Sequence, residues 1–239
     1  MPHRAKLTVG SYNIHKGVGS DYRRDPRRTI SVIRELAADI VALQEVDRRF
    51  GDRRGVLDLQ ALNDATGLSP IPLSDRLAEL AHGWHGNLIL FRNAQFESAH
   101  VISLPGLEPR GAIVANLTYR GHRLRVIAAH LGLLKGSRKT QSQRLAEEIG
   151  DDSATVMMGD LNEWRQGEGC SLTALKAGLK AEENAQTVPS FPARRPTLSL
   201  DRIIGCTAAQ ITNLRPHDTP LSRLASDHLP IRADIRLGS

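Results

Sequence analysis

Apolar residues fall in many short runs broken by polar turns, and few runs extend far enough for long helices. Alternation or continuous apolar character predicts strands over Leu7–Ile14, Asp39–Leu43, His85–Phe91, Phe96–Ser103, Ala112–Tyr119, Leu124–Ala129, Thr155–Gly159, Leu200–Ile204, Ala208–Leu214 and Ile231–Leu237. Arg120-Gly121-His122 reads as a tight hairpin between two of them. Asp25-Pro26 has the form of an N-cap followed by proline at the first helical position. It predicts a helix to about Ala38, with Ile30, Ile33 and Ala37 on one face. Further helices are expected over Val56–Thr66, stopped by Gly67, and over Ser137–Gly150, with Leu145 and Ile149 on its apolar side. Strands outnumber helices, and no repeat, linker or glycine-rich strand-to-helix turn is present, which disfavours a doubly wound dinucleotide fold. The pattern predicts an α/β (α+β) four-layer sandwich: two packed mixed β-sheets flanked by outer helices, as one domain over residues 1–239.

The ends of these strands carry polar residues where an apolar or turn residue would serve as well. Asn13 follows the first strand and Glu45 the second; His130 ends Val126-Ile127-Ala128-Ala129. Asp160 and Asn162 follow Val156-Met157-Met158-Gly159, Asp201 opens the strand that continues Arg202-Ile203-Ile204, and Asp227-His228 precedes the last strand. Each alone is an ordinary turn, cap or solvated residue. Strand ends of a sandwich gather at its rims, however, and Asp160 and Asn162, two positions apart, share a face if extended.

Composition narrows the classes. The chain has 239 residues, 40% hydrophobic and 24% charged, which suits a folded globular protein and not a disordered one. No apolar run is long enough to cross a bilayer, so integral membrane association is not expected. Met1-Pro2-His3-Arg4-Ala5-Lys6 lacks the apolar centre of a signal peptide. Cys170 and Cys206 are too few for a disulfide framework or a thiolate metal site, and a reducing cytoplasm is the expected compartment. The net charge is +6, and only 6 of the 32 basic residues are lysine. That arginine excess reflects either coding bias or phosphate recognition by the planar guanidinium fork. Aromatics at 4% argue against an extended base-stacking groove.

The segments Ser11-Tyr12-Asn13-Ile14, Leu43-Gln44-Glu45-Val46-Asp47, Ala129-His130-Leu131, Gly159-Asp160-Leu161-Asn162 and Ser226-Asp227-His228-Leu229-Pro230 occur in one order along nearly the whole chain. Ser199-Leu200-Asp201-Arg202-Ile203 and Glu108-Pro109-Arg110-Gly111-Ala112 add weaker matches. Together they resemble the endonuclease/exonuclease/phosphatase (DNase I-like) superfamily of metal-dependent phosphoesterases, and within it small bacterial members carrying Tyr-Asn-Ile-His-Lys-Gly, as in Tyr12–Gly17. The resemblance implies a two-sheet sandwich and hydrolysis of phosphodiester bonds with Mg²⁺ or Mn²⁺, held by Glu45 with Asn13 beside it. It implies that Asp160 orients or deprotonates the attacking water and that Asn162 hydrogen-bonds a phosphoryl oxygen. His228 would contact phosphate with Asp201 as its orienting carboxylate, and His130 would be a second phosphate or leaving-group histidine. Asp227 is either a metal ligand or a water-orienting group, and Arg110 an electrostatic contributor. Some nuclease members have an acid where this chain has His15, which puts a second ligand from that strand in question; His15 is either a substrate contact or an exposed turn residue.

Substrate identity rests on the rim. The pairs Arg23-Arg24, Arg27-Arg28, Arg48-Arg49 and Arg53-Arg54 follow the strands that deliver Asn13 and Glu45, with Asp21, Asp25, Asp47 and Asp52 among them. As a rim they predict an extended polyanion, nucleic acid ahead of anionic phospholipid, read through its backbone, with Trp164 as the stacking residue. Lipid or inositol-phosphate hydrolysis is the alternative activity, and a binding module without catalysis is the alternative class. Oligomeric state is not legible.

Overall fold

The computed structural model describes residues 5–48, 53–74, 76–150, 153–181 and 186–238. Eleven strands among these residues form two mixed sheets, the arrangement the apolar pattern predicts, although that pattern misses the two-residue strand Ser69–Pro70. The first strand, β1 (Ala5–Asn13), runs parallel to β2 (Ile40–Gln44) and antiparallel to the last, β11 (Ile231–Leu237). With β3 (Ser69–Pro70), β4 (Leu88–Phe91) and β10 (Ala209–Pro216) they give the order β10-β11-β1-β2-β4-β3. The second sheet has the order β5-β6-β7-β8-β9, from β5 (Gln95–Leu104), β6 (Arg110–Tyr119), β7 (His122–His130), β8 (Ala154–Asp160) and β9 (Asp201–Gly205), with β7 and β8 parallel.

Strand alternation divides the apolar residues between faces. Val9, Ile40, Ala42, Val126, Ala128, Val156, Met158, Ile203 and Ile235 point inward and join one core between the sheets. Val41, Leu43, Leu88 and Leu90 point outward, under α1 (Pro26–Leu36), α2 (Leu59–Thr66) and α6 (Pro220–Ala225). Ile127, Ala129 and Met157 point outward on the other sheet, under α4 (Lys135–Ala146) and α5 (Thr173–Gly178). A short α3 (Arg76–Leu80) precedes β4.

Local rules account for most boundaries. Asp25 caps α1 by accepting from the Arg27 N–H, with Pro26 at the first helical position. The helix ends at Ala37, which turns left-handed and is exposed, so Leu36 and not Ala37 completes its buried face. The second helix begins at Leu59, later than Val56, because the Asp58 carboxylate caps it through the Ala61 N–H; Gly67, at φ 69°, ends it. Arg120 and Gly121, both at positive φ, form the two-residue turn between β6 and β7. His85 lies in a turn before β4, not in the strand.

The fourth helix departs most from its prediction. It starts at Lys135, ends at Ala146 before Ile149, and buries Arg138, Gln141 and Ser142 along with Leu145. Gln141 donates to Pro105 O at 2.9 Å and accepts from Gly132 N at 2.9 Å. Arg138 donates to Gly132 O and to Ser171 Oγ and pairs with Glu163. This helix is a polar anchor for the loops after β5, β7 and β8. Periodicity in apolar residues does not register such a role.

Candidate active site

Register and alternation bring the strand-end residues together. On the second sheet His130 pairs with Asp160 and Asp160 with Asp201, so three adjacent strands end in one row. Each shares the inward parity of its strand's core residues: His130 that of Ala128, Asp160 that of Met158, Asp201 that of Ile203. On the first sheet Asn13 shares the parity of Val9 and lies beside Gln44 on β2. The four side chains meet where the two sheets open at one end, and all four are buried.

Backbone conformation at this end is unusual. His15, Lys16, Glu45, Arg53, His85 and Asn162 all have φ between 46° and 59°, the left-handed region that L-residues avoid at a cost of about 1–2 kcal/mol each. Gly159, at φ 154°, lets β7 approach: a Cβ there would stand 1.8 Å from Ala129 O. The Gly159-Asp160 step of the sequence motif is therefore a packing requirement as well as a chemical one.

Asp160 is the hub. Its Oδ2 accepts from Asn13 Nδ2 at 3.0 Å and lies 3.4 Å from His130 Nε2 and 3.8 Å from His228 Nε2, while Oδ1 accepts from the Asn162 N–H at 3.0 Å. Asn162 donates one amide hydrogen to Leu131 O at 2.9 Å, which leaves the second for another acceptor. The amide oxygen of Asn13 accepts from His15 N at 3.0 Å.

Two histidines sit beside Asp160 in opposite states. Burial opposes a charge on His228, but Asp201, Asp160 and Asp227 outweigh it and hold the ring at about 10, so it is cationic at neutral pH. Its Nδ1 lies 2.9 Å from Asp201 Oδ2, which also accepts from the buried Ser190 hydroxyl, and the Phe191 ring packs 4.8 Å away. Burial dominates for His130 and lowers it to about 4 despite Asp160, with Arg110 adding to the depression; it is neutral at neutral pH.

Glu45 occupies the adjoining recess with Lys16, Arg110, His85 and His130. Burial would raise its carboxyl, but the His130 ring and the Lys16 ammonium, which is ion-paired to Glu45 Oε2, bring it down to about 2. Arg110 is buried and donates to Glu108 Oε2 at 2.7 Å. Asp227 is partly exposed, 3.6 Å from His15 Nδ1, whose other contact is Val18 O at 3.2 Å.

The rim residues do not converge to the same degree. Trp164 is half-exposed with the Arg165 guanidinium 4.6 Å over its ring, and Arg48 is solvent-facing. Arg49 lies outside the described residues. Arg28 is held by Asp21 at 2.8 Å, and Arg53 by Asp47 at 2.6 Å with His85 beside it at 3.2 Å. Sequence reasoning missed Lys16 and Ser190. The first stood inside the Tyr12–Gly17 segment that supplied Asn13, whereas Ser190 lies in a loop with no distinguishing pattern.

The donor set suits a hard divalent cation. Glu45, Asn13, Asp160 and Asp227 offer oxygen, a lysine ammonium already sits against Glu45, and neither cysteine is among them. Asp160, Asp201 and His228 also lie within 4.8 Å of one another, with His228 Nδ1 hydrogen-bonded to Asp201 Oδ2 at 2.9 Å and Nε2 3.8 Å from Asp160 Oδ2.

Comparison with known proteins agrees with this geometry. The profile described as Endonuclease/Exonuclease/phosphatase family matches residues 10–228. The uncharacterized protein YbhP of Escherichia coli strain K12 is 32% identical over 249 aligned positions, covering 96% of both chains. Among solved structures, an endonuclease/exonuclease/phosphatase from Beutenbergia cavernae superposes with a TM-score of 0.73 at 23% identity, over 99% of this chain and 72% of that one. D. rerio TDP2 complexed with a single-strand DNA product gives 0.68 at 18% identity, over 97% of this chain and 99% of the other.

Proposed function

The chain belongs to the endonuclease/exonuclease/phosphatase family of hydrolases acting on phosphoester bonds, and on that premise we propose that it is a divalent-metal-dependent phosphodiesterase. The observation that carries this reading is the row His130–Asp160–Asp201 facing Asn13, with cationic His228 beside it.

In this reading Asp160 accepts the proton of the attacking water, oriented by the Asn13 amide and the Asn162 N–H. Asn162 offers its remaining amide hydrogen, and His228 its Nε2–H, to the phosphoryl oxygens as negative charge builds on them. Asp201 and Ser190 fix the His228 ring. His130, neutral, donates a hydrogen bond to the leaving oxygen, which takes its proton from solvent. Glu45 and Asn13 would hold Mg²⁺ or Mn²⁺, with Asp227 beside His15 at the same end, and the cation would supply charge stabilisation and a more acidic water. Arg110 adds positive potential from behind Glu45.

For the substrate, nucleic acid and anionic phospholipid are the two candidates. Arg28 and Arg53 are neutralised by Asp21 and Asp47, which weakens the case for a continuous phosphate-reading rim. Leu107, Leu133 and Leu134, exposed on the loops after β5 and β7, have no counterpart on a nucleic acid backbone, so we rank phospholipid first. No helix among the described residues is long and apolar enough to span a membrane, and access to lipid would be peripheral.

The test is turnover of bis(p-nitrophenyl) phosphate in a metal series. Activity should require Mg²⁺ or Mn²⁺ and vanish with EDTA, and Glu45→Gln should act only at raised metal concentration. Full activity after chelation would refute the reading.

A further inference from the structure

Large apolar side chains are exposed at few places among the described residues, and four of them stand on three loops at the active-site end. Leu107 is 86% exposed in the β5–β6 loop, Leu133 and Leu134 are 65% and 52% exposed between β7 and α4, and Trp164 is 50% exposed after β8. The loops are tied together. Leu133 N donates to Glu108 Oε1 at 2.8 Å, next to Leu107. Arg138 bonds Gly132 O and pairs with Glu163, next to Trp164, and Asn162 bonds Leu131 O. The same loops contain or adjoin Arg110, His130 and Asp160, so the apolar edge borders the site.

Such an edge is not left by chance folding economy. Four bulky apolar groups in water destabilise nothing locally but gain nothing either, and clustered exposure marks an interaction surface. The start of α4 repeats the point. Leu134 stands at the N-cap without a side-chain hydrogen bond, Lys135 follows, and no acid lies in the first turn, all contrary to what stabilises a helix start.

Charge selects the partner. Lys135 and Lys139 are exposed one turn apart on α4, hence on the same side, while Arg165 stacks on Trp164 and lies 3.6 Å from Glu163 Oε1, so the two lysines carry most of the charge. Of the acids on these loops, Glu108 is engaged by Arg110 and by Leu133 N, Glu163 is buried against Arg138, and Glu168 is exposed four residues beyond Trp164. Aliphatic tips with a tryptophan and a basic border match the interface of a bilayer that carries negative headgroups, where apolar groups enter the acyl boundary and cations meet phosphate. Leucine tips do not stack on bases, which disfavours single-stranded nucleic acid as the occupant.

We propose that Leu107, Leu133, Leu134 and Trp164, bordered by Lys135, Lys139 and Arg165, form a docking surface for an anionic phospholipid bilayer. Docking brings headgroup phosphodiesters to the mouth that holds Asp160 and His228. The inference rests on the phosphodiesterase reading for its substrate, not for the binding itself.

The experiment is sedimentation of the full chain with vesicles of phosphatidylcholine alone or mixed with phosphatidylglycerol, alongside hydrolysis of soluble bis(p-nitrophenyl) phosphate with Mn²⁺. The protein should sediment with mixed vesicles and not with phosphatidylcholine, with a blue shift of tryptophan emission. Leu107→Asp/Leu133→Asp should weaken binding by at least about tenfold, the scale of a leucine withdrawn from an apolar medium, and leave the soluble reaction unchanged. Lys135→Ala/Lys139→Ala should weaken it and reduce its salt dependence. No sedimentation, or equal binding by the leucine variant, overturns docking even if the soluble diester is cleaved. Loss of a gel shift with single-stranded DNA in the leucine variant, without vesicle binding, overturns it in favour of nucleic acid. Absence of diester hydrolysis with vesicle binding intact overturns the activity and leaves docking supported.

Discussion

Asn13 Nδ2 lies 3.0 Å from Asp160 Oδ2, a hydrogen bond that runs from the end of β1 to the end of β8 and so joins the two sheets at the site. The residue expected beside a metal ion is thus also the one that aims the expected base. Asn13→Ala should lower kcat about 100-fold, the scale of a misplaced proton acceptor, with little change in thermal stability. Asn13→Asp, which places a second carboxylate against Asp160, should be no better at neutral pH. Steady-state kinetics on a soluble diester decide; near-normal kcat in Asn13→Ala would remove the amide from the mechanism.

The two histidines should titrate far apart. His228, held at about 10, stays protonated through neutral pH, whereas His130, lowered to about 4, stays neutral. Raising a histidine on folding gives stability that is complete below its ordinary value near 6.5 and is lost as pH rises toward about 10. Lowering one gives stability present above 6.5 and lost as pH falls toward about 4. Asp201→Asn removes the leading charge that opposes burial, so the His228 ring should become neutral near pH 7 and kcat/KM should fall about 100-fold or more. Imidazole nitrogen NMR shifts read both states; an unshifted His228 in Asp201→Asn would contradict the assignment.

Lys16 stands where it must compete with any cation for Glu45. Lys16→Met should tighten Mn²⁺ binding about tenfold, a modest share of a partly solvated ion pair, and raise the Glu45 carboxyl. Isothermal titration with Mn²⁺ measures it. Unchanged affinity would mean that Glu45 is not the ligand.

Gly159→Ala tests packing and not chemistry. A methyl group 1.8 Å from Ala129 O forces β7 and β8 apart beneath His130 and Asp160, at an expected cost of about 3 kcal/mol. Urea unfolding should show it, and a wild-type midpoint would contradict so close an approach of the two strands.

The strands of both sheets were legible because each buried face writes its own alternation: Val9, Ile40, Val126 and Met158 announce the inner core directly. The grouping of the candidate site was legible where a polar residue broke such a run, as at His130 and Asp160, which the sheet register pairs. Lys16 was not, since a lysine in a turn reads as solvated until the turn is known to fold back over Glu45. The role of α4 was hidden for the opposite reason. Arg138 and Gln141 look like an exposed polar face, but their partners are backbone groups of Gly132 and Pro105 and the side chains of Ser171 and Glu163, which no spacing rule encodes. Among the arginine pairs, the sequence sets Asp21 and Asp47 nearby but not in contact; the fold pairs them with Arg28 and Arg53.

The place of β11 has a bearing on synthesis. It is inserted between β10 and β1, so that Leu237 pairs with Ala5, and the turn before it carries His228. A ribosome that has released everything up to β10 has therefore delivered a sheet with an open seam and a mouth without its cation. The candidate site is therefore incomplete on the growing chain until His228 and β11 have been added, and its assembly waits on the most sequence-distant pairing of the sheet.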